Sequence, residues 1–106
     1  MRRGKVWWVD FPEPARRRPA VVLTRDSACD VRSSLAVGPV TGTIRSIPVE
    51  VPLGPEQGLS VECVANLDDI LTVPKKYFDE RITVLSAVVM EQVEKVIALA
   101  VDIRID

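Results

Sequence analysis

Histidine is absent from the 106-residue chain, and that single absence removes a large share of enzyme chemistry. No Ser-His-Asp triad, His-paired cysteine or histidine proton shuttle can be assembled within it. Cysteine is scarce as well: Cys29 and Cys63 stand far apart in unlike local contexts. Two such residues without histidine build neither a zinc knuckle nor a disulfide framework, so both are expected to be reduced, with Cys63 inside an apolar strand. Neither a GxxxxGKS/T loop nor a GxGxxG turn occurs, and no nucleotide cofactor, nor any other, is expected. Asp68 and Asp69 come nearest to a magnesium site. Adjacent strand residues point to opposite faces, however, and solvated turn carboxylates are the plainer reading, so no metal is expected. No apolar run approaches the ~20 residues of a membrane span. Met1-Arg2-Arg3-Gly4 leads directly into a strand pattern with no signal-peptide core, which predicts a cytoplasmic protein without membrane association.

A chain of this length with 47% hydrophobic residues can close one core, and residues 1–106 are read as a single domain. Its charge is unevenly spread. Residues 1–45 carry nine Lys and Arg against four Asp and Glu, while residues 46–106 carry five against eleven. Such a split suggests a basic face for a polyanion and an acidic remainder. Eight of the nine early cations are arginine, whose planar fork matches phosphate geometry. The densest group, Arg16-Arg17-Arg18, is fixed by Pro19 to the apolar run Ala20-Val21-Val22-Leu23, so its guanidinium groups are anchored to a rigid element.

The pattern is mostly that of strands. Val6 to Phe11 alternates, with Trp8 and Asp10 on one face and Trp7, Val9 and Phe11 on the other, and Pro12 and Pro14 end it. Further strands are predicted at Ala20 to Leu23, Leu35 to Val40, Ile47 to Leu53, Val61 to Leu67, Ile70 to Val73 and Ile82 to Leu85. Pro48 and Pro52 confine the Ile47 to Leu53 segment to a sheet edge, and the polar segment Asp26 to Ser34 has room for a helical turn. After Ser86, a plausible N-cap, Val89, Val93, Val96, Ile97 and Ala100 recur at helical spacing, with Glu91, Glu94 and Lys95 toward the opposite face. One amphipathic C-terminal helix on a compact, strongly bent sheet is the expected architecture.

An enzyme built from this inventory must work with Arg, Thr, Ser, Asp, Glu or Tyr. RNA cleavage by the substrate's own 2′-hydroxyl suits that list, because it needs no protein nucleophile and no metal. It needs in-line positioning, stabilisation of a dianionic phosphorane and a route for protons. Arginine supplies the electrostatic part, and a threonine hydroxyl can donate to a non-bridging oxygen.

Four segments together resemble the MazF/PemK (Kid) toxins of bacterial toxin–antitoxin modules: Arg3-Gly4-Lys5-Val6-Trp7-Trp8-Val9-Asp10-Phe11, Arg17-Arg18-Pro19-Ala20-Val21-Val22-Leu23, Pro39-Val40-Thr41, and the helix after Leu85-Ser86. The resemblance implies a mainly β fold with helices, an SH3-like (CcdB/PemK-type) small β-barrel carrying a C-terminal amphipathic helix. It implies a homodimer that cuts single-stranded RNA at short motifs without a metal, the target being mRNA, or alternatively rRNA or tRNA. It also implies a cognate MazE-like antitoxin with an acidic tail, with operator DNA reached only through the antitoxin complex. The family's catalytic arginine and threonine fall on Arg18 and Thr41. Arg16, Arg17, Arg25, Thr43, Arg45, Asn66 and Asp68 complete the residues expected at the RNA. The chain departs from the family in two places. The loop Glu13-Pro14-Ala15-Arg16-Arg17 is short, with Glu13 standing in for a loop carboxylate. Asp69-Ile70-Leu71-Thr72 replaces a Gln-x-Arg-Thr-like segment, with Asp68 at an acidic position of PemK-type relatives and Asn66 where they carry arginine. Two other readings stay open: a catalytically silent nucleic-acid-binding barrel, and a CcdB-like gyrase poison. The latter relies on a C-terminal Trp-Gly-Ile, where this chain has Ile103-Arg104-Ile105-Asp106.

Overall fold

A computed structural model describes residues 1–12 and 16–101. Seven strands form one bent antiparallel sheet: β1 (Lys5–Asp10), β2 (Arg17–Val22), β3 (Ser34–Thr41), β4 (Glu50–Leu53), β5 (Cys63–Asn66), β6 (Leu71–Pro74) and β7 (Phe78–Val84). A one-turn helix α1 (Asp26–Cys29) follows β2, and α2 (Ala87–Ala100) follows β7. Short 3-10 turns occupy Pro55–Gln57 and Lys75–Tyr77. The spatial order is β4-β5-β3-β2-β1-β7, with β6 also paired to β3.

β3 is the corner of this sheet. One of its edges meets β2 through Ala20↔Pro39, Val21↔Gly38 and Val22↔Val37. Its other edge is shared, the first half pairing with β6 and the last two residues, Val40 and Thr41, with β5. Gly38 sits at the bend because a Cβ there would lie 2.8 Å from Leu67 Cδ2. The edge strands β4 and β7 are not hydrogen-bonded to each other, so the expected small barrel is an open one.

The bent sheet divides the core in two. Val6, Val21, Val40, Val51, Leu67, Met90 and Val93 pack on one side, and Val9, Phe11, Val22, Leu35, Val37 and Phe78 on the other. Strand alternation explains the division: Val6 and Val9, or Val21 and Val22, face opposite ways. Trp7 joins the second group and sets its ring edge against Phe78, with centroids 6.2 Å apart. The assignment of Trp7, Val9 and Phe11 to one face therefore holds. Helix α2 begins as expected, the Ser86 hydroxyl accepting from the Val89 N–H at 3.2 Å. Its buried residues are Met90 and Val93.

Strand boundaries differ from the sequence reading, by a residue or so at β3 and β6, and at β4, which begins at Glu50 and not at Ile47, and further at three other strands. β2 extends back to Arg17, because β1 offers it partners as far as Asp10. β5 starts only at Cys63, leaving Val61 outside it and 62% exposed. β7 is longer than Ile82 to Leu85 and begins at Phe78, its first half hidden in the sequence by Asp79-Glu80-Arg81. Two register shifts against β1 account for the lost alternation. Both cysteines are buried and free. Among the described residues no helix is long and apolar enough to cross a membrane.

The loop before β5 packs on β7 at Gly58. Its φ is +92°, and a Cβ would stand 2.5 Å from Thr83 Oγ1. Gly58→Ala is expected to cost about 1–3 kcal/mol in urea unfolding, from a left-handed backbone plus overpacking. Unchanged stability would show that this loop does not rest on β7.

Candidate active site at the ends of β2 and β3

The paired residues of β2 and β3 end at Ala20↔Pro39, two residues short of Arg18 and Thr41. Every pair in this ladder has the same residue sum, so the register continued by two residues would set Arg18 opposite Thr41. Leu23 N–H donates to the Ala36 carbonyl at 2.8 Å, which marks 23/36 as a hydrogen-bonded pair. Alternation then makes 22/37 and 20/39 non-hydrogen-bonded pairs, the kind in which opposing side chains lie closest, and the continued register would give 18/41 the same character. Pro19 lacks an N–H, so it cannot donate to β3 and the ladder thins at this end. Both Arg18 and Thr41 are half-buried.

The Thr41 hydroxyl is oriented by its own loop. Its Oγ1 accepts from the Thr43 N–H at 3.2 Å, which occupies a lone pair and leaves the O–H to donate outward. Thr43 thus contributes its backbone. The next turn is fixed by a buried carboxylate that the sequence reading missed. Glu50, with only 2% of its side chain exposed, accepts from Arg45 N–H, Arg45 Nε and Ser46 N–H, each at 3.0 Å. Burial alone would raise the Glu50 carboxyl. The hydrogen bonds from Arg45 and Ser46 outweigh that and hold it below its ordinary value of 4.5. Arg45, expected at the RNA, is thereby tied at its Nε to Glu50, about half of its side chain remaining exposed.

Arg17 is also engaged within the protein. Its guanidinium reaches across β1 to Asp79 at 2.8 Å and Glu80 at 3.3 Å, and lies 4.5 Å from the centroid of the Trp8 ring. The Asp79 hydrogen bond, offset in part by desolvation, holds it still more firmly protonated. Arg16 is exposed, takes a left-handed φ of 60° and accepts the Phe11 N–H through its carbonyl at 2.9 Å. Glu13 lies outside the described residues.

Other expected residues sit elsewhere. Arg25 precedes α1 beyond the far end of β2, a strand length of roughly 20 Å from the Arg18 end, and does not join Arg18 and Thr41. Asn66 is buried, its amide donating to Asp69 at 2.8 Å and its carbonyl accepting the Asp68 N–H at 3.1 Å. It therefore shapes the turn after β5, where Asp68 is exposed. Two clefts flank the Thr41 end. One of about 310 Å³ includes Trp8, Pro19, Thr41, Val61 and Ile82. Another, of about 820 Å³, includes Ile44, Ile47, Glu50, Pro52 and Glu62. Cys63 borders both, and burial pushes its thiol up, away from the thiolate.

With this geometry in view, comparison with known proteins is decisive. A family model described as PemK-like, MazF-like toxin of type II toxin–antitoxin system matches residues 2–101. The chain belongs to this toxin family. It is 39% identical over 87 residues to "Probable endoribonuclease MazF2" of Mycobacterium tuberculosis, covering 81% of this chain and 83% of that protein. Among solved structures, "Mycobacterium tuberculosis toxin MazF-mt6" superimposes with a TM-score of 0.88 at 25% identity, covering 95% of this chain and 99% of the other. A mycobacterial "Endoribonuclease in complex with its cognate antitoxin" shares the fold, with a TM-score of 0.87 at 21% identity over 100% of this chain and 99% of the other.

The buried carboxylate gives a pH-dependent expectation. A folded pKa below the unfolded one contributes stability that is fully present above pH ~4.5 and is lost as pH falls through the folded value. Glu50→Gln should therefore be less stable than wild type at pH 7, with the gap closing in acid as wild-type Glu50 protonates. Denaturant unfolding across pH 2–7 measures it, and a gap that stays constant with pH would remove Glu50 from this role.

Proposed function

We propose that the protein is an endoribonuclease toxin that cleaves single-stranded RNA in the cytoplasm through the substrate's 2′-hydroxyl. The 2′-oxygen attacks the adjacent phosphorus and loses its proton. The P–O5′ bond breaks, and the departing 5′-oxygen gains a proton, leaving a 2′,3′-cyclic phosphate and a 5′-hydroxyl. Arg18 stabilises the dianionic phosphorane, a role that suits a group which stays protonated. Thr41 donates its hydroxyl to a non-bridging oxygen. The observation that supports the reading is the β2–β3 register, which continued two residues beyond Ala20↔Pro39 would set Arg18 opposite Thr41, with the Thr41 oxygen already accepting from Thr43.

Partners follow from the same surface. The protein pairs with itself in a two-fold dimer that sets two such sites along one groove, and the apolar Val84 and Val88, both exposed where β7 meets α2, support association. A MazE-like antitoxin with an acidic segment competes with RNA for the arginines, because carboxylate and phosphate ask for the same fork. A titration in which antitoxin peptide and uncleavable RNA bind together without loss of affinity would overturn that competition.

Arg18→Ala and Thr41→Val should each lower single-turnover cleavage on the order of a hundredfold or more while leaving the unfolding midpoint near wild type. An RNA with one 2′-deoxy sugar at the cut site should resist cleavage. Efficient cutting of that substrate, or near wild-type turnover by Arg18→Ala, would refute the mechanism.

A further inference from the structure

A further cleft, at the α1 end of the sheet, has the chemistry of an anion site. Two arginines, Arg25 and Arg32, and three hydroxyl residues, Thr24, Ser34 and Thr72, line a space of about 300 Å³. No Asp or Glu borders it. The carboxylates of this segment are already engaged, Asp26 accepting from the Arg3 N–H at 2.7 Å and Asp30 pairing with Arg2 at 3.5 Å. Neither Arg25 nor Arg32 forms an ion pair with a described residue, and both are exposed. Their charge is therefore left for a ligand, unlike that of Arg17 or Arg45.

One buried residue holds both arginines at the backbone. The Arg25 carbonyl accepts from the Ala28 N–H at 2.9 Å, and the Arg32 N–H donates to the Ala28 carbonyl at 3.0 Å. Ala28 is only 3% exposed, so the two attachment points are set before any ligand arrives. The hydroxyls are placed by the strands. Thr24 Oγ1 accepts from the Ala36 N–H at 2.8 Å, which leaves its O–H to donate. Thr72 pairs with Ala36 across the β3–β6 ladder, and Ser34 lies two residues before Ala36, so both share its face of the sheet. Lys75 N–H donates to the Ser33 carbonyl at 2.9 Å, which brings a third cationic residue next to this segment.

We infer that this cleft is a second anion site, which holds a backbone phosphate of the RNA strand several nucleotides away from the cut. The inference rests on the endoribonuclease reading, since that reading brings a single strand to the protein. Guanidinium forks and free hydroxyl protons are donors, and a phosphodiester offers two non-bridging oxygens to accept them. The cleft lies a strand length, roughly 20 Å, from the Arg18 end of β2, too far to touch the scissile phosphate. A strand of several nucleotides spans that distance, within the ~4–16 that small single-strand-binding barrels cover. A strand anchored at Arg18 presents its further phosphates at high effective concentration, which favours this occupant over a separate acidic ligand. A contact of this kind adds affinity and fixes how the strand lies, without reading its sequence.

A walk with a neutral linkage tests this. An RNA that wild type cuts, with several nucleotides on each side, carries a 2′-deoxy sugar at the cut site so that it binds without being cleaved. A single methylphosphonate, which removes one backbone charge, is then moved along it. The dissociation constant is measured for wild type, Arg25→Ala, Arg32→Ala and the double variant. At one linkage several nucleotides from the cut, neutralisation should weaken wild-type binding about tenfold, as loss of a charged hydrogen bond does. That penalty should vanish in the double variant, while linkages beside the cut should give equal penalties in all four proteins. The slope of log Kd against log salt should also fall by about 0.7 in the double variant, for one phosphate contact fewer on a single strand. Equal penalties at every linkage would overturn the assignment, as would variants that bind RNA like wild type and lose affinity only for an acidic peptide. Cleavage of the all-ribose RNA by wild type tells the two readings apart. If RNA is cut and no distant linkage couples to Arg25 and Arg32, the second site alone fails, and if no RNA is cut, the endoribonuclease reading fails and takes the second site with it.

Discussion

The antiparallel ladder between β2 and β3 is the constraint on which the rest of the structure depends. Its register, continued two residues beyond Ala20↔Pro39, would carry an arginine and a threonine from distant parts of the sequence to the same level of two neighbouring strands. The hydrogen-bonding alternation would make theirs a close pair. Pro19 removes an N–H at this end of the ladder, where the last residues of β3 pair on their other edge with β5. Gly38 allows the bend by letting Leu67 approach the backbone. The corner of the sheet and the candidate site are consequences of the same few residues.

Electrostatics is arranged more economically than the linear charge split implies. Arg2, Arg3, Arg17 and Arg45 meet Asp30, Glu94, Asp79 with Glu80, and Glu50 respectively. Apart from Arg2–Asp30, which lies within the first half, these pairs fold the basic first half partly against the acidic second half. The exposed ones add little stability, with a median of ~0–1 kcal/mol, but they orient groups. Arg17 is directed over Trp8, and the loop carrying Thr43 and Arg45 is tied to the buried Glu50. Local net charge at the site is accordingly lower than a count of arginines indicates, which makes placement of the remaining donors more important than their number.

Much of the fold was legible because its signals are local. Alternation in Val6 to Phe11, the apolar run Ala20 to Leu23, the prolines around β4 and the Ser86 cap each act within a few residues. β7 was half hidden because Asp79, Glu80 and Arg81 read as a solvated turn, and because its two register shifts break the period of two. The positions of Arg18 and Thr41 were legible only through their resemblance to family motifs, and neither alternation nor composition in the chain singles them out. Glu50 was not legible, since a carboxylate on a proline-flanked edge strand gives no sign that two backbone N–H groups and a guanidinium will enclose it. The structural role of Asn66 was not legible either: its amide and carbonyl hold the turn to Asp68 and Asp69, contacts that a single polar residue at the end of a strand does not announce.

The central claim is that Arg18 and Thr41 act on one phosphate as a unit, and a double-mutant cycle in single-turnover cleavage tests it most directly. Wild type, Arg18→Ala, Thr41→Val and the double variant are compared on one RNA, with unfolding midpoints as a control. Groups that act as a unit are strongly non-additive, so the double variant should be scarcely slower than the slower single one. Fully multiplicative losses would mean that the two side chains act independently, and the paired site would be contradicted.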